Sequence, residues 1–389
     1  MALADFPCRV CAASRLEEVT DYAHLPRVTS DCKPFPPGGR IAVCSACGAV
    51  QKPTDARWQQ EAASIYEAYA PYFQSGGIEQ SVFDPAKGAP RRRSAVILDR
   101  LAQVHALGPT GSVLDVGCGN GVLLSAFAEM KPQWRLFGHE LSDLHAPALA
   151  KIPGFQQLYT GFLAELPAKF DVIAMMHALE HFPDPLAALQ DLRTKLNEGG
   201  CLFIEIPNGE ATPFDLVIAD HVSHFTRRDL ARLTERAGLA AAVIADDWVT
   251  KELSVVARSA GQAVAIPPRP PAEALARVRS QIAWLQGVID DARQAARKPG
   301  ARLGVFGTSV AAMWLFGQLA DDIAFFVDED PSRQGTKLLD RPVLTPGEVP
   351  AGATVYVLLI PQVARTVATR LARPQIEFVV PRQVGQPGA

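Results

Sequence analysis

Three groups of residues in this 389-residue chain have types and spacings that could do chemistry. The first is cysteine. Five of the seven cysteines fall within the first 47 residues, and four of those form two pairs, Cys8-Arg-Val-Cys11 and Cys44-Ser-Ala-Cys47. A Cys-x-x-Cys turn offers two thiolates at about 2.3 Å from a Zn²⁺, and two such turns fill a tetrahedral shell. Cys8, Cys11, Cys44 and Cys47 are therefore read as ligands of a structural Zn²⁺ with no open position for a substrate; Cys32, in the spacer, is read as a spare. An odd cysteine total with no export signal argues against a disulfide framework. The second group is the glycine-rich run Val113-Leu-Asp-Val-Gly-Cys-Gly-Asn-Gly121, with a carboxylate, Glu140, 19 residues beyond it. Glycines at such a turn let the backbone approach a ligand, and the later acid can accept both hydroxyls of a ribose. By spacing alone the pattern fits an NAD site as well. The third group is acid and imidazole: His177 and His181, then Asp220, His221 and His224. An imidazole titrates near neutral pH and can take a proton from an acceptor, and a neighbouring carboxylate stabilises the cation that forms.

These groups need elements to hold them. Val113–Val116 reads as a buried strand, and Gly117, Gly119 and Gly121 as the turn into a helix starting near Val122. Asp171–Met176 reads as a strand ending at His177. Between Arg91 and about residue 260, strand-like and helical segments alternate, which predicts βαβ units on a parallel sheet. Pro267-Pro-Arg-Pro-Pro271 marks a linker, followed by a long amphipathic helix over roughly 272–297. A second α/β block opens at Arg302-Leu-Gly-Val-Phe-Gly307. There Asp328 follows Gly307 at a dinucleotide-like distance, but Thr308-Ser309 replaces the expected glycines, so the block reads as a degenerate Rossmann unit. The expected fold class is α/β. The expected parts are a zinc module (1–55), a connecting helix with a tyrosine-rich loop (56–90), a central domain with a doubly wound sheet (91–265), and a linker helix with a C-terminal Rossmann-like domain (272–389). Arg91-Arg-Arg93 reads as a solvated first helical turn rather than a phosphate clamp.

Composition narrows the classes. Hydrophobic residues make up 48% and charged residues 20%, a globular balance that excludes global disorder. Lys+Arg 38 against Asp+Glu 41 leaves a net charge of -3, so nucleic-acid binding by bulk positive charge is excluded. No apolar run approaches the roughly 18 residues of a membrane span. The opening residues lack a basic stretch followed by an apolar one. The expectation is a cytoplasmic protein with a small-molecule substrate, no nucleic-acid partner and no membrane span.

The glycine run resembles the first motif of the class I S-adenosylmethionine (SAM) methyltransferases. Phe170-Asp-Val-Ile-Ala-Met-Met-His-Ala-Leu-Glu-His-Phe182 is similar to that family's fourth strand and the start of the helical segment after it, and Asn197-Glu-Gly-Gly-Cys-Leu-Phe-Ile-Glu-Ile-Pro-Asn208 to its fifth strand. The resemblance implies that Gly117, Gly119 and Gly121 line SAM, that Asp115 orders the loop, that Glu140 holds the ribose and that His177 lies over the cofactor. The layout as a whole resembles the zinc-containing sugar C-methyltransferases, which act on nucleotide-linked keto-deoxysugars. Cys44-Ser-Ala-Cys47-Gly-Ala-Val-Gln51 is similar to their second zinc knuckle, and Phe326-Val-Asp-Glu-Asp-Pro-Ser-Arg-Gln-Gly335 to their C-terminal domain. This resemblance implies that His221 is a base oriented by Asp220, and that His181 and Tyr72 place the acceptor. Ile218 stands where that family has a tyrosine. The function expected is SAM-dependent methylation of a nucleotide-linked sugar at carbon. An O-methyltransferase on a sugar or other small-molecule hydroxyl, or a non-catalytic SAM-binding protein, is the alternative.

Overall fold

The protein is seen in a computed structural model that describes residues 3, 6–71, 77–79, 81–84, 89–267, 269–298, 300 and 302–383. The N-terminal segment forms short strands, β1 (Leu16–Glu18), β2 (Arg27–Val28), β3 (Pro34–Phe35), β4 (Ala42–Cys44) and β5 (Val50–Gln51). Helix α1 (Ala56–Glu67) follows, started by Asp55, whose side chain accepts from Trp58 N. A hairpin of β6 (Ser81–Asp84) and β7 (Ala89–Arg92) leads into α2 (Arg93–Val104).

The central unit alternates as its sequence pattern requires. It runs β8 (Gly111–Val116), α3 (Val122–Met130), β9 (Trp134–Glu140), α4 (Ala146–Leu149), β10 (Phe155–Thr160), β11 (Phe170–Met176), α5 (Pro185–Thr194) and β12 (Leu196–Pro207). Then come β13 (Ser223–His224), α6 (Arg227–Arg236), β14 (Ala240–Ala245) and β15 (Glu252–Arg258). Seven of these strands form one sheet in the order β10-β9-β8-β11-β12-β15-β14, with β15 antiparallel to both neighbours. β8 and β11 are mainly apolar because helices cover both faces of a parallel sheet. Their residues, such as Leu114, Ile173 and Met175, are completely buried. In this order β8 and β11 are neighbours although they are far apart in sequence, so the chain leaves the sheet in opposite directions after them. That topological switch opens a crevice at the carboxyl ends of the strands, where such sheets bind ligands.

The long helix α7 (Pro271–Ala296) buries Val278, Ile282, Leu285 and Ile289 along one face, as its period predicts. Beyond it lie β16 (Leu303–Phe306), α8 (Val310–Leu319), β17 (Ile323–Val327), β18 (Lys337–Leu338), β19 (Arg341–Leu344), β20 (Thr354–Val357), α9 (Pro361–Leu371) and β21 (Glu377–Val379). They form a six-stranded sheet in the order β18-β19-β17-β16-β20-β21. Asp328, which the spacing offered as a ribose ligand, accepts instead from Thr308 Oγ1 at 2.7 Å and pairs with Arg333 at 3.3 Å.

Two features of the packing differ from the sequence reading. First, the apolar residues of the N-terminal segment join a core with α7, α8 and residues 214–218, including Tyr22, Val28, Phe214, Val278, Trp314 and Phe326. Second, β13 does not belong to the central sheet. It pairs with β5, Ser223 opposite Gln51 and His224 opposite Val50, in a sheet ordered β1-β4-β5-β13.

Candidate active site

The glycine turn is a backbone requirement. Gly117, Gly119 and Gly121 have φ of +74°, +49° and +80°, a region that side chains disfavour. A Cβ on Gly121 would also meet Ile152 Cδ1 at 2.5 Å and Leu149 Cδ2 at 2.6 Å, so both side chains would have to shift. Glu140, at the end of β9, accepts from Gly119 N at 2.6 Å and from Leu141 N at 3.2 Å. Asp115 is buried in β8, and its Oδ1 has no partner among the described residues. Burial, and then the charge of Glu140, push its carboxyl well above the usual carboxylate range. Asp115, Gly117, Gly119 and Glu140 line a cavity of about 580 Å³.

His177 also lines this cavity, at φ +50° just past β11, but its ring is engaged by protein. Its Nε2 lies 2.8 Å from Arg93 Nη1 and 3.3 Å from Glu252 Oε1, and its Nδ1 lies 3.4 Å from Glu180 Oε1. Burial and the charge of Arg93 disfavour the imidazolium, but Glu252 and Glu180 outweigh them and raise the ring to about 9. The arginine run is accordingly no uniform solvated turn. Arg91 pairs with Asp99 and Arg92 with Glu129, while Arg93 turns inward to Glu252 at 3.0 Å.

The imidazole group converges on the other side of the same cavity. His181 sits on a short 3-10 turn (Leu179–His181), and His221 follows a second one (Pro213–Val217). Their rings meet edge to face, 4.6 Å between centroids at 84°. The carboxylate that orients His221 is Asp215, not Asp220. Asp215 Oδ1 lies 2.7 Å from His221 Nδ1, and Asp215 Oδ2 lies 2.7 Å from His224 Nδ1. Asp220 accepts from Ser30 N at 2.9 Å and Ser30 Oγ at 2.5 Å, and lies 3.4 Å from His181 Nδ1. The reason is the turn at 219–220, which sends adjacent side chains to different sides and returns His221 over the 3-10 turn carrying Asp215. Burial would raise the carboxyl of Asp215, but His224 and His221 outweigh it and hold it well below the usual range. Burial lowers His181, as does the nearby His221. Burial also takes His224 down to about 4 against the pull of Asp215.

The sequence reading missed two further groups here. Tyr66 Oη lies 3.0 Å from His181 Nδ1. Lys52 is completely buried behind the loop and its Nζ donates to the Ile218 carbonyl. Burial lowers its ammonium to about 7, against the favourable charge of Asp215. No spacing in the sequence links Lys52 to position 218. Tyr72 lies outside the described residues.

The cysteines form a separate cluster. Cys8 Sγ lies 3.6 Å from Cys47 Sγ and Cys11 Sγ 3.7 Å from Cys44 Sγ, and all four sulfurs fall within 4.8 Å of one another. A tetrahedron with bonds of about 2.3 Å has edges of about 3.8 Å, so this donor set fits Zn²⁺.

Residues 89–242 match a methyltransferase domain family. The ubiquinone biosynthesis O-methyltransferase of Paraburkholderia phytofirmans is 30% identical over 165 residues, covering 39% of this chain and 69% of that enzyme. The chain belongs to the SAM-dependent methyltransferases. The enzyme of the same name from Xanthomonas campestris pv. campestris strain B100 is 36% identical over 135 residues, 32% of this chain and 54% of that enzyme. The chain thus spans about half the length of that curated relative. Among solved structures it is similar to the mitomycin 7-O-methyltransferase MmcR, with 18% identity, a TM-score of 0.38, and 52% of this chain and 68% of that one covered. In this methyltransferase the matched region holds the glycine turn, Glu140, His181 and His221, while the cysteine cluster and the second α/β sheet lie outside it.

Proposed function

We propose that this methyltransferase transfers the methyl group of SAM to a sugar, one carried on a nucleotide, with His221 as the base. SAM, when bound, supplies an electrophilic methyl. Gly117, Gly119 and Gly121 would cradle it, Glu140 would hold its ribose, and Asp115, with its unpartnered oxygen, would face it. His177 would border it. One observation carries the proposal: the Asp215–His221 pair opens on the same cavity as the glycine turn. Asp215 holds Nδ1, so Nε2 is the nitrogen left to take a proton from the acceptor. The imidazolium that forms is stabilised by a carboxylate already ionised. His181, tied to Tyr66 and Asp220, supports the ring edge to face and shapes the acceptor side.

Carbon methylation beside a ketone is favoured by the two knuckles and the C-terminal motif, which are similar to those of the sugar C-methyltransferases. Oxygen methylation is favoured by the curated relatives, which are O-methyltransferases, and a histidine base serves a hydroxyl equally. Labelled SAM and a panel of nucleotide sugars separate the two. Carbon transfer washes an α-hydrogen into solvent deuterium and gives a C-methyl signal by NMR; oxygen transfer keeps the hydrogen and gives an O-methyl signal. No labelled product from any acceptor would leave SAM binding alone. For the cysteine cluster we propose one structural Zn²⁺ on Cys8, Cys11, Cys44 and Cys47, which would cross-link the first knuckle to β4 and β5.

A further inference from the structure

The proposed chemistry uses no lysine, yet the cavity wall holds Lys251 as well as the paired Arg93. Lys251 stands just before β15 at φ +72°, a backbone conformation that a lysine adopts at a cost. Asn208 N fixes it there by donating to its carbonyl at 2.8 Å. The side chain lines the cavity and, among the described residues, has no hydrogen-bond or ion-pair partner. The adjacent carboxylate, Glu252, is already engaged by Arg93 at 3.0 Å and His177 at 3.3 Å. Burial disfavours the ammonium, against the charge of Glu252, and an anion in the cavity would restore it. Thr212 and Thr250 line the same cavity.

The location separates this lysine from the cofactor. In the sheet order, β15 lies three strand spacings from β8, which carries the glycine turn, or about 14 Å. Asn208 ties Lys251 instead to the segment that runs on to Asp215 and His221.

We propose that Lys251 binds a phosphoryl group of the methyl acceptor. The proposal rests on the reading that this cavity receives the acceptor, and it makes that acceptor a phosphorylated or nucleotide-linked molecule rather than a neutral one. A single ammonium is a point charge without a planar fork, which suits phosphate oxygens.

The test uses the full chain saturated with S-adenosylhomocysteine, titrated calorimetrically with inorganic pyrophosphate. The wild type is expected to bind it, Lys251→Gln to bind it about tenfold or more weakly, and Lys251→Arg to stay near wild type. SAM affinity should be the same in all three. Equal pyrophosphate affinity in wild type and Lys251→Gln overturns the proposal. So does a loss of SAM affinity in Lys251→Gln, which would move the lysine to the cofactor's own carboxylate. Pyrophosphate binding that depends on Lys251, with no labelled methyl reaching any phosphorylated acceptor, upholds the subsite and overturns the transfer reading instead.

Discussion

Asp215 carries two histidines on its two oxygens, and that double load sets what each residue of the loop can do. Replacing it with Asn keeps the shape but removes the charge that stabilises a protonated His221. Asp215→Asn is expected to lower kcat by about 10²–10⁴, the range for losing a general base, with SAM affinity unchanged by calorimetry. Asp220→Asn should cost less, because Asp220 reaches His181 and Ser30 and not His221. The same loop predicts a pH dependence of stability. His224 falls to about 4 in the folded protein, against an ordinary value of 6.5. The unfolded chain then binds a proton more readily than the folded one. This contribution is complete above about 6.5 and is lost as pH falls toward 4, by about 3 kcal/mol at most. Urea unfolding between pH 7 and 4 should show that decline, and His224→Asn should flatten it.

At the scale of elements, the site depends on a strand pair that joins two distant parts of the chain. β5 lies four residues or fewer from Cys47, and it pairs with β13, which carries His224 and follows His221. Lys52 N donates to Val222 O at 2.9 Å, and Arg9, between the two cysteines of the first knuckle, reaches Val222 O at 3.2 Å and Lys52 O at 3.0 Å. The cysteine cluster thus braces the loop that carries His221 without lining the cavity. Metal analysis of the purified protein should find about one Zn²⁺ per chain. Removing it with a chelator, or by Cys44→Ser, should abolish methyl transfer while SAM still binds to the glycine turn on β8 and α3. Folded, active protein without zinc would sink both the site and the brace.

For the whole molecule, the N-terminal segment, residues 214–218 and the C-terminal unit share a core. Trp314 on α8 is completely buried, packs its ring against Phe214 with 5.6 Å between centroids, and donates from Nε1 to Pro26 O at 2.8 Å. It therefore touches the C-terminal unit, the segment leading to Asp215 and the N-terminal strands at once. Trp314→Ala should destabilise the protein by about 3–5 kcal/mol. Fluorescence and circular dichroism should still report one coincident transition, since the regions it joins cannot unfold independently without exposing this core.

What the sequence by itself determined is what local chemistry determines. The two knuckles, the glycines of positive φ and the mainly apolar strands each depend on neighbours within a few residues, so Cys8, Cys11, Cys44, Cys47, Gly117, Gly121 and the strand over 171–176 were legible. The α7 face was legible for the same reason, through its period. What only tertiary structure decided is which side chain meets which across the chain. Asp220 is the acid next to His221 in sequence, yet a turn directs it away and Asp215 takes its place. Arg93 looked like part of a solvated turn and pairs with Glu252, 159 residues on. Lys52 and β5 lie in the cysteine segment and end up behind the loop that carries His221. Such partners depend on strand order and turn geometry, and no spacing along the chain encodes a contact made by a sheet that closes between residue 51 and residue 223.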